Sequence, residues 1–347
     1  PVALAAGLNK AARNHILIRD TSALEQMRNV DVVVFDKTGT LTEGHPTVIG
    51  WLWAQGQEEH YKDVLLAAES TSDHPLAEAI VTALEGEEQV IPAHLDGFEN
   101  ITGKGVRVAY QGAEYWVGSH KLLKDYQANL SDILADMLTQ YESDGNSIVY
   151  FGRENDLLAV IAIKDQLRVT SMEAIRELRI QDIEICMLTG DGERTASSVA
   201  GSLGIMRFVA DAMPDDKEDF IHKLQLQGKT VAMVGDGVND AQALSCADVS
   251  IAMGKGTDTL MDTAMITLRT SDLLLLPKVF RLSRQTVSLM YRNLFWAFIY
   301  NTVGIFVAAG VLYPVYDILL SPALAGAAMA LSCVSVALSS LRLSSRF

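Results

Sequence analysis

The sequence predicts a doubly wound α/β sheet, interrupted by an inserted α+β domain and followed by a pair of membrane-spanning helices. Three observations carry this. Apolar, β-branched runs alternate with helical patterns through the middle of the chain; residues 46–156 break that alternation after its first strand; and two uncharged apolar runs stand near the end. Alternating strands and helices bury a parallel sheet under helices on both faces. At 347 residues there is room for two or three domains. A net charge of −15 with no basic block argues against nucleic acid as a partner. Cys186, Cys246 and Cys333 form no short C-x-x-C pair, which argues against a disulfide framework or a structural zinc site and fits a reducing compartment.

In chain order, the first segment is residues 1–24. PVALAAGLNKAARNHILIRD begins apolar, turns basic at Lys10 and Arg13, and lacks a cleavable leader pattern. It reads as the cytoplasmic end of a preceding membrane helix with its connector, so the chain reads as a fragment. Residues 25–45 contain VVVFDKTGTLTEG. Val32 to Phe35 suit a central strand covered on both faces. Asp36 then falls at the carboxyl end of that strand, where open α/β sheets bind ligands. Residues 46–156 form the insert, with glycine turns, a YWVGS strand and a helix opening at Pro75. Ser72 and Asp73 are its expected caps, and Leu76, Ala79, Ile80, Ala83 and Leu84 its apolar face. Residues 157–280 resume the sheet: LLAVIAI (157–163), IEICML (183–188), TVAMV (230–234) and DVSIAM (248–253) join the first strand as parallel strands. Ala196, Val199, Ala200 and Leu203 mark a helix between them.

Residues 285–347 complete the chain with two helices, about 293–312 and 318–341. Runs of this kind can cross a hydrocarbon core of ~30 Å, which takes about 20 helical residues. Lys278, Arg281, Arg284 and Arg292 precede the pair and Arg342 and Arg346 follow it, which places both ends in the cytoplasm.

Several strand ends carry phosphate-friendly turns. Thr189, Gly190 and Asp191 lie between a strand and a helix, where backbone N–H groups and a hydroxyl suit phosphate oxygens. Asp236, Asn239 and Asp240 cluster oxygen ligands of the type Mg²⁺ accepts, and Lys217 adds a compact positive charge upstream. DKTGTLT, TGD and GDGVND, in this order around an insert, resemble the cytoplasmic core of the P-type ATPases, which have the haloacid-dehalogenase fold. The resemblance implies that Asp36 takes the γ-phosphoryl group of ATP, with Lys37 beside it. It further implies that Thr189, Gly190, Asp191 and Lys217 steady the transferred group. Asp36, the Thr38 carbonyl and Asp236 would hold Mg²⁺, and Asn239 and Asp240 would complete the site. Soluble phosphatases of this fold carry a second Asp where Thr38 stands, so Thr38 favours a long-lived aspartyl phosphate and hence a transporter over a phosphatase.

Within the insert, His74 reads on its own as a cap or a core contact. SDHP, however, resembles the S-E-H-P signature of the heavy-metal subgroup, which implies adenine contacts from His74 and Glu69. TGKGV resembles that subgroup's glycine pair, giving Gly103 and Gly105; in VGS, Gly118 matches and Ser119 replaces the usual Asn. The insert is thereby expected to be the nucleotide-binding domain, and 25–45 with 157–280 the phosphorylation domain.

Tyr300 and Asn301 put polar groups mid-helix, where they are costly and functional. Met329, Ser332 and Cys333 share one face of the second helix, as a soft-ligand set for Cu(I) or as a helix-packing surface. FIYN with AAGVLYP and LSPALAGAAMALS resembles the last two helices of the Cu(I)-exporting subgroup, which implies that Tyr300, Asn301, Met329 and Ser332 belong to the ion site. Cys333 replaces a serine there, as an added soft ligand or a space filler. The expected protein is a multi-pass membrane pump, in a prokaryotic plasma membrane, exporting Cu(I) with ATP and Mg²⁺. An actuator domain, earlier membrane helices and a copper chaperone are the implied partners. The alternatives are a pump for Ag(I) or a divalent soft metal, a membrane-tethered phosphatase, and a non-enzymatic metal-binding membrane protein.

Overall fold

The structure is a computed structural model that describes residues 2–54, 58–72, 74–87, 90–128, 132–236, 240–254, 264–309, 326–327, 330 and 334–340. The chain opens with α1 (Val2–Arg13), β1 (Ile16–Ile18), α2 (Thr21–Gln26) and the central strand β2 (Val32–Asp36). It then builds β3 (Thr47–Trp53), α3 (Glu58–Glu69), α4 (Pro75–Glu85), β4 (Gly97–Ile101), β5 (Gly105–Tyr110) and β6 (Ala113–Gly118). Next come α5 (His120–Asp125), α6 (Asp132–Ser143), β7 (Ser147–Arg153), β8 (Asp156–Lys164), α7 (Ser171–Ile180), β9 (Glu184–Leu188) and α8 (Glu193–Leu203). The remainder is β10 (Arg207–Val209), α9 (Pro214–Leu226), β11 (Val231–Gly235), α10 (Ala241–Cys246), β12 (Val249–Met253), β13 (Ile266–Leu268) and α11 (Leu275–Ala308).

Seven strands form one sheet in the order β1-β13-β12-β11-β2-β9-β10. All pair in parallel except β1, which lies antiparallel to β13 at the edge. Every residue of β2 is buried, because alternate side chains enter two different cores. Val33 and Phe35 pack with Ala174, Ile175, Ala196 and Phe280, while Val32 and Val34 face Ile221 and Leu224 of α9 and Ala243 and Leu244 of α10. The carboxyl ends of β9, β2 and β11 lie side by side, the edge where this architecture binds ligands.

The second sheet, β3-β8-β7-β6-β5-β4, is antiparallel throughout. This corrects the placement of LLAVIAI: β8 pairs with β3 and β7, and the chain returns to the parallel sheet only after Lys164. The reason is burial. Ala159, Ile161 and Ile163 face α3 and α4, whereas Leu157 and Val160 face the layer of Leu122, Leu123 and Leu138. A strand covered on both faces reads as an unbroken apolar run in either kind of sheet.

The leading segment differs as well, since residues after α1 supply the edge strand β1 instead of a bare connector. Helix α4 is capped by His74, whose Nδ1 accepts the Leu76 N–H at 3.2 Å, in place of Ser72; Asp73 lies outside the described residues. Helix α11 runs 34 residues, about 50 Å. Its first half packs through Leu276, Val279, Phe280 and Val287, while Leu294, Phe295, Phe298, Val303, Ile305 and Phe306 are exposed. Among the described residues no helix is long and apolar enough to cross a membrane. Much of the expected second run, 318–341, lies outside the described residues.

Candidate functional site

Asp36 ends β2 and is 7% exposed. The loop that follows turns at Gly39, whose φ of +72° suits glycine. A Cβ there would come within 2.6 Å of Asp236 Oδ2, so the glycine lets the Asp236 carboxylate approach the loop. Lys217, in the first turn of α9, donates to Asp36 Oδ1 at 2.7 Å and to Asp240 Oδ1 at 2.5 Å. Burial alone would lower the pKa of Lys217, but the two carboxylates outweigh it and hold the ammonium well above its ordinary range. Asp240 is pushed up to about 7, first by burial and then by the charge of Asp36. Its second oxygen, Oδ2, is buried without a hydrogen-bond partner. Asp36, Asp236, Asp240 and Lys217 therefore converge on one carboxyl edge of the parallel sheet.

The neighbouring strand completes this edge. Thr189, 2% exposed, follows β9, and its hydroxyl lies 3.0 Å from Asp191 Oδ2 while accepting the Asp191 N–H at 3.1 Å. Lys37 forms an ion pair with Asp191 and donates to Ser147 Oγ at 3.0 Å. Burial acts to raise the pKa of Asp191, yet Lys37 and the surrounding donors hold it below the ordinary carboxylate range. Gly190 is exposed and Thr38 half-buried beside these groups. Asn239 lies outside the described residues.

A brace around this loop went unread in the sequence. Arg168 donates through Nε to the Thr40 carbonyl at 2.9 Å and through Nη2 to the Gly39 carbonyl at 2.5 Å. Ser171 Oγ donates to the Leu41 carbonyl at 2.7 Å. Asp165 accepts from the Thr42 hydroxyl at 2.5 Å and from the Gly44 N–H at 3.1 Å. Apart from the Thr42 hydroxyl, the groups held here are backbone groups and leave no residue pattern; the one signal is the stretch DQLR directly after an apolar strand.

Hydrogen bonds join the part of the chain that holds the second sheet to the part that holds the first. Ser147 reaches Lys37, Thr195 Oγ1 donates to the Asn146 carbonyl at 2.7 Å, and Lys121 Nζ donates to the Asp211 carbonyl at 2.5 Å. Glu69, at the end of α3, is 6% exposed, and burial raises its carboxyl from 4.5 to about 7. At the start of α4, His74 has its pKa lowered first by desolvation against the surrounding protein, and the charges of Asp191, Lys37, Asp36 and Lys217 reach it. Gly103 packs on Met213, the residue before α9; a Cβ would fall 2.5 Å from its Cε. Gly105 and Gly118 are required by strand contact, since β5 and β6 approach so closely that either Cβ would fall 2.1 Å from a carbonyl oxygen.

Tyr300 and Asn301 lie exposed on α11, in its exposed apolar part and apart from this cluster. Met329, Ser332 and Cys333 lie outside the described residues. The oxygen donors at Asp36, Asp236 and the Thr38 carbonyl, with the orphaned Asp240 oxygen nearby, are hard ligands that fit Mg²⁺ chemistry.

Residues 30–248 match the family model for haloacid dehalogenase-like hydrolases. A copper-exporting P-type ATPase of Legionella pneumophila is 42% identical over 343 residues, covering 99% of this chain and 46% of the relative. A silver exporting P-type ATPase of Salmonella typhimurium is 43% identical over 348 residues, 99% of this chain and 42% of that protein. The chain thus spans less than half the length of these curated relatives. Among solved structures, a zinc-transporting PIB-type ATPase in the E2.Pi state aligns with a TM-score of 0.68 at 35% identity, covering 99% of this chain and 55% of that one. The catalytic domain of the CPx-ATPase CopB-B aligns with a TM-score of 0.65 at 28% identity, covering 79% of this chain and 97% of that one.

Proposed function

Because the chain belongs to the haloacid dehalogenase-like hydrolase family, and its curated relatives are metal-exporting P-type ATPases, we propose that it carries the phosphorylation and nucleotide sites of an ATP-driven exporter of monovalent copper. The observation that carries this is the buried Asp36 carboxylate, held by Lys217 at the end of β2. Lys217 occupies Oδ1, which leaves Oδ2 to attack the γ-phosphorus of ATP. A new O–P bond forms on Asp36 as the bond to the β-phosphate oxygen breaks and ADP leaves. Lys217 offsets the negative charge gathered at the carboxylate and the phosphoryl oxygens, and Thr189 offers its hydroxyl to them. Asp36, the Thr38 carbonyl and Asp236 would hold Mg²⁺, whose chemistry is to neutralise charge between carboxylate and phosphate. Thr38 supplies no carboxylate to activate water, so the acyl phosphate persists.

The parallel sheet then serves as the phosphorylation unit and the antiparallel sheet as the nucleotide unit. Glu69 and His74 take the adenine, and Gly103, Gly105 and Gly118 keep the backbone open to the nucleotide. Residues 293–312 and 318–341 cross the bilayer as a hairpin, a reading supported by the exposed aromatic and aliphatic side chains of α11. Tyr300, Asn301, Met329 and Ser332 contribute to the ion path, with Cys333 beside them. The test is acid-stable labelling from γ-labelled ATP in the membrane-reconstituted protein, with Cu(I), Ag(I) or Zn²⁺ titrated separately. Labelling that requires Cu(I) supports the reading. Labelling that answers to Ag(I) alone or Zn²⁺ alone moves the ion to that of the silver exporter or zinc transporter to which the chain is similar.

A further inference from the structure

Helices α9 and α10 carry a second cluster beyond the phosphorylation site. Glu218 and His222 stand one turn apart on α9, and Cys246 is the last residue of α10. One donor atom from each lies within 4.8 Å of the others. His222 Nε2 is 3.6 Å from Glu218 Oε1, and His222 Nδ1 is 3.1 Å from Gln225 Oε1. Gln225 Nε2 donates to the Cys246 carbonyl at 2.9 Å and to Asp248 Oδ2 at 3.3 Å. Both of those partners can only accept, which fixes the amide with its oxygen towards the imidazole. An amide oxygen accepts, so Nδ1 carries the ring proton and Nε2 turns its lone pair towards Glu218 and Cys246. A single glutamine thus orients the ring of one donor and anchors the backbone of another, the arrangement found behind metal-bound histidines.

We infer that Glu218, His222 and Cys246 bind a borderline divalent transition-metal ion of the Zn²⁺ type. Thiolate, imidazole and carboxylate together form a three-ligand set for Zn²⁺ with a fourth position open to water. Mg²⁺ and Ca²⁺ prefer oxygen ligands alone, and Cu(I) prefers soft sulfur, so the mixed set selects neither. The site takes the ion as Cys246 releases its proton to solvent, with no change of oxidation state. Half-buried Glu218 and Cys246 with exposed His222 leave an open entry path. Cysteine spacing could not disclose the site, because the ligands come from two helices and are joined only by the fold. Lys217 immediately precedes Glu218, and Asp240 immediately precedes α10, so an ion held here ties together the two helices that position those residues.

The experiment titrates the intact, metal-free chain with Co²⁺ as an optical stand-in and then with Zn²⁺. The expected result is thiolate-to-cobalt charge transfer with tetrahedral ligand-field absorption, saturating at one ion and displaced by Zn²⁺. His222→Ala and Cys246→Ser should each abolish the signal, while Cys333→Ala should keep it. Gln225→Ala should retain the bands but weaken affinity about 10–100-fold. Absence of charge transfer, or bands that survive Cys246→Ser or vanish with Cys333→Ala, would overturn the assignment. An unchanged affinity in Gln225→Ala would overturn the orienting role of the glutamine.

Discussion

Glu69→Gln should remove a pH-dependent penalty that burial imposes on the nucleotide-side sheet. The carboxyl sits at the end of α3 with 6% of its surface exposed, and its pKa rises from 4.5 to about 7. Below about pH 4.5 both folded and unfolded chains hold this proton. Between about 4.5 and 7 the unfolded chain ionises while the folded one keeps its proton, so stability falls as pH rises through that window. A displacement of about 2.5 pH units, at ~1.4 kcal/mol each, amounts to about 3 kcal/mol lost by pH 8. Glutamine cannot ionise, so the variant lacks that fall, and comparison with wild type cancels the titration of all other groups. Three of the four tryptophans, Trp51, Trp53 and Trp116, lie in β3 and β6 and the fourth, Trp296, on α11, so tryptophan fluorescence during urea unfolding reports chiefly on this sheet. From pH 4.5 to pH 8 the variant should gain about 3 kcal/mol on the wild type. A gap that stays constant across that range would refute the argument.

Four further substitutions probe other parts of the molecule. Lys217→Met leaves Asp36 and Asp240 facing each other without a cation, and should cost about 3–5 kcal/mol near pH 8 and less near pH 5, where Asp240 can take up a proton; urea midpoints at the two pH values measure this. Arg168→Ala removes the donors to the Gly39 and Thr40 carbonyls and should slow phosphorylation about 100-fold with nucleotide affinity unchanged, as read from labelling rates and equilibrium binding. Gly118→Ala drives a Cβ to 2.1 Å from the Lys104 carbonyl and should cost about 3 kcal/mol, whereas Gly201→Ala, with open space on α8, should stabilise by about 0.5–1 kcal/mol in the same unfolding assay.

The parallel sheet was legible because its central strand is buried on both faces and ends in an acid. Val32 to Phe35 showed this as an unbroken run, and Ala196, Val199, Ala200 and Leu203 showed the covering helix by spacing. The same logic misplaced Leu157 to Ile163, since helices also cover both faces of the antiparallel sheet. Burial is what the pattern records, and strand direction is not. Asp36, Asp236 and Asp240 could be singled out as chemistry-bearing residues after strands and Lys217 as a nearby cation, but only the fold brings Lys217, from the first turn of α9, between two carboxylates. Arg168 and Ser171 were illegible because they bind backbone carbonyls, contacts with no side-chain complement to search for, and Asp165 because its partners, the Thr42 hydroxyl and the Gly44 N–H, stand 123 and 121 residues away in the chain. Gly105 and Gly118 read as space for a nucleotide, while the structure gives each a nearer cause in the approach of two strands.

The central claim is that Asp36 becomes an acyl phosphate. The most direct measurement incubates wild type and Asp36→Asn with γ-labelled ATP, quenches in acid, treats with hydroxylamine and maps the labelled peptide. The account predicts acid-stable, hydroxylamine-sensitive label on the peptide containing Asp36, and none in the variant, which still binds ATP. Label that persists in Asp36→Asn, or that maps to another residue, would contradict it.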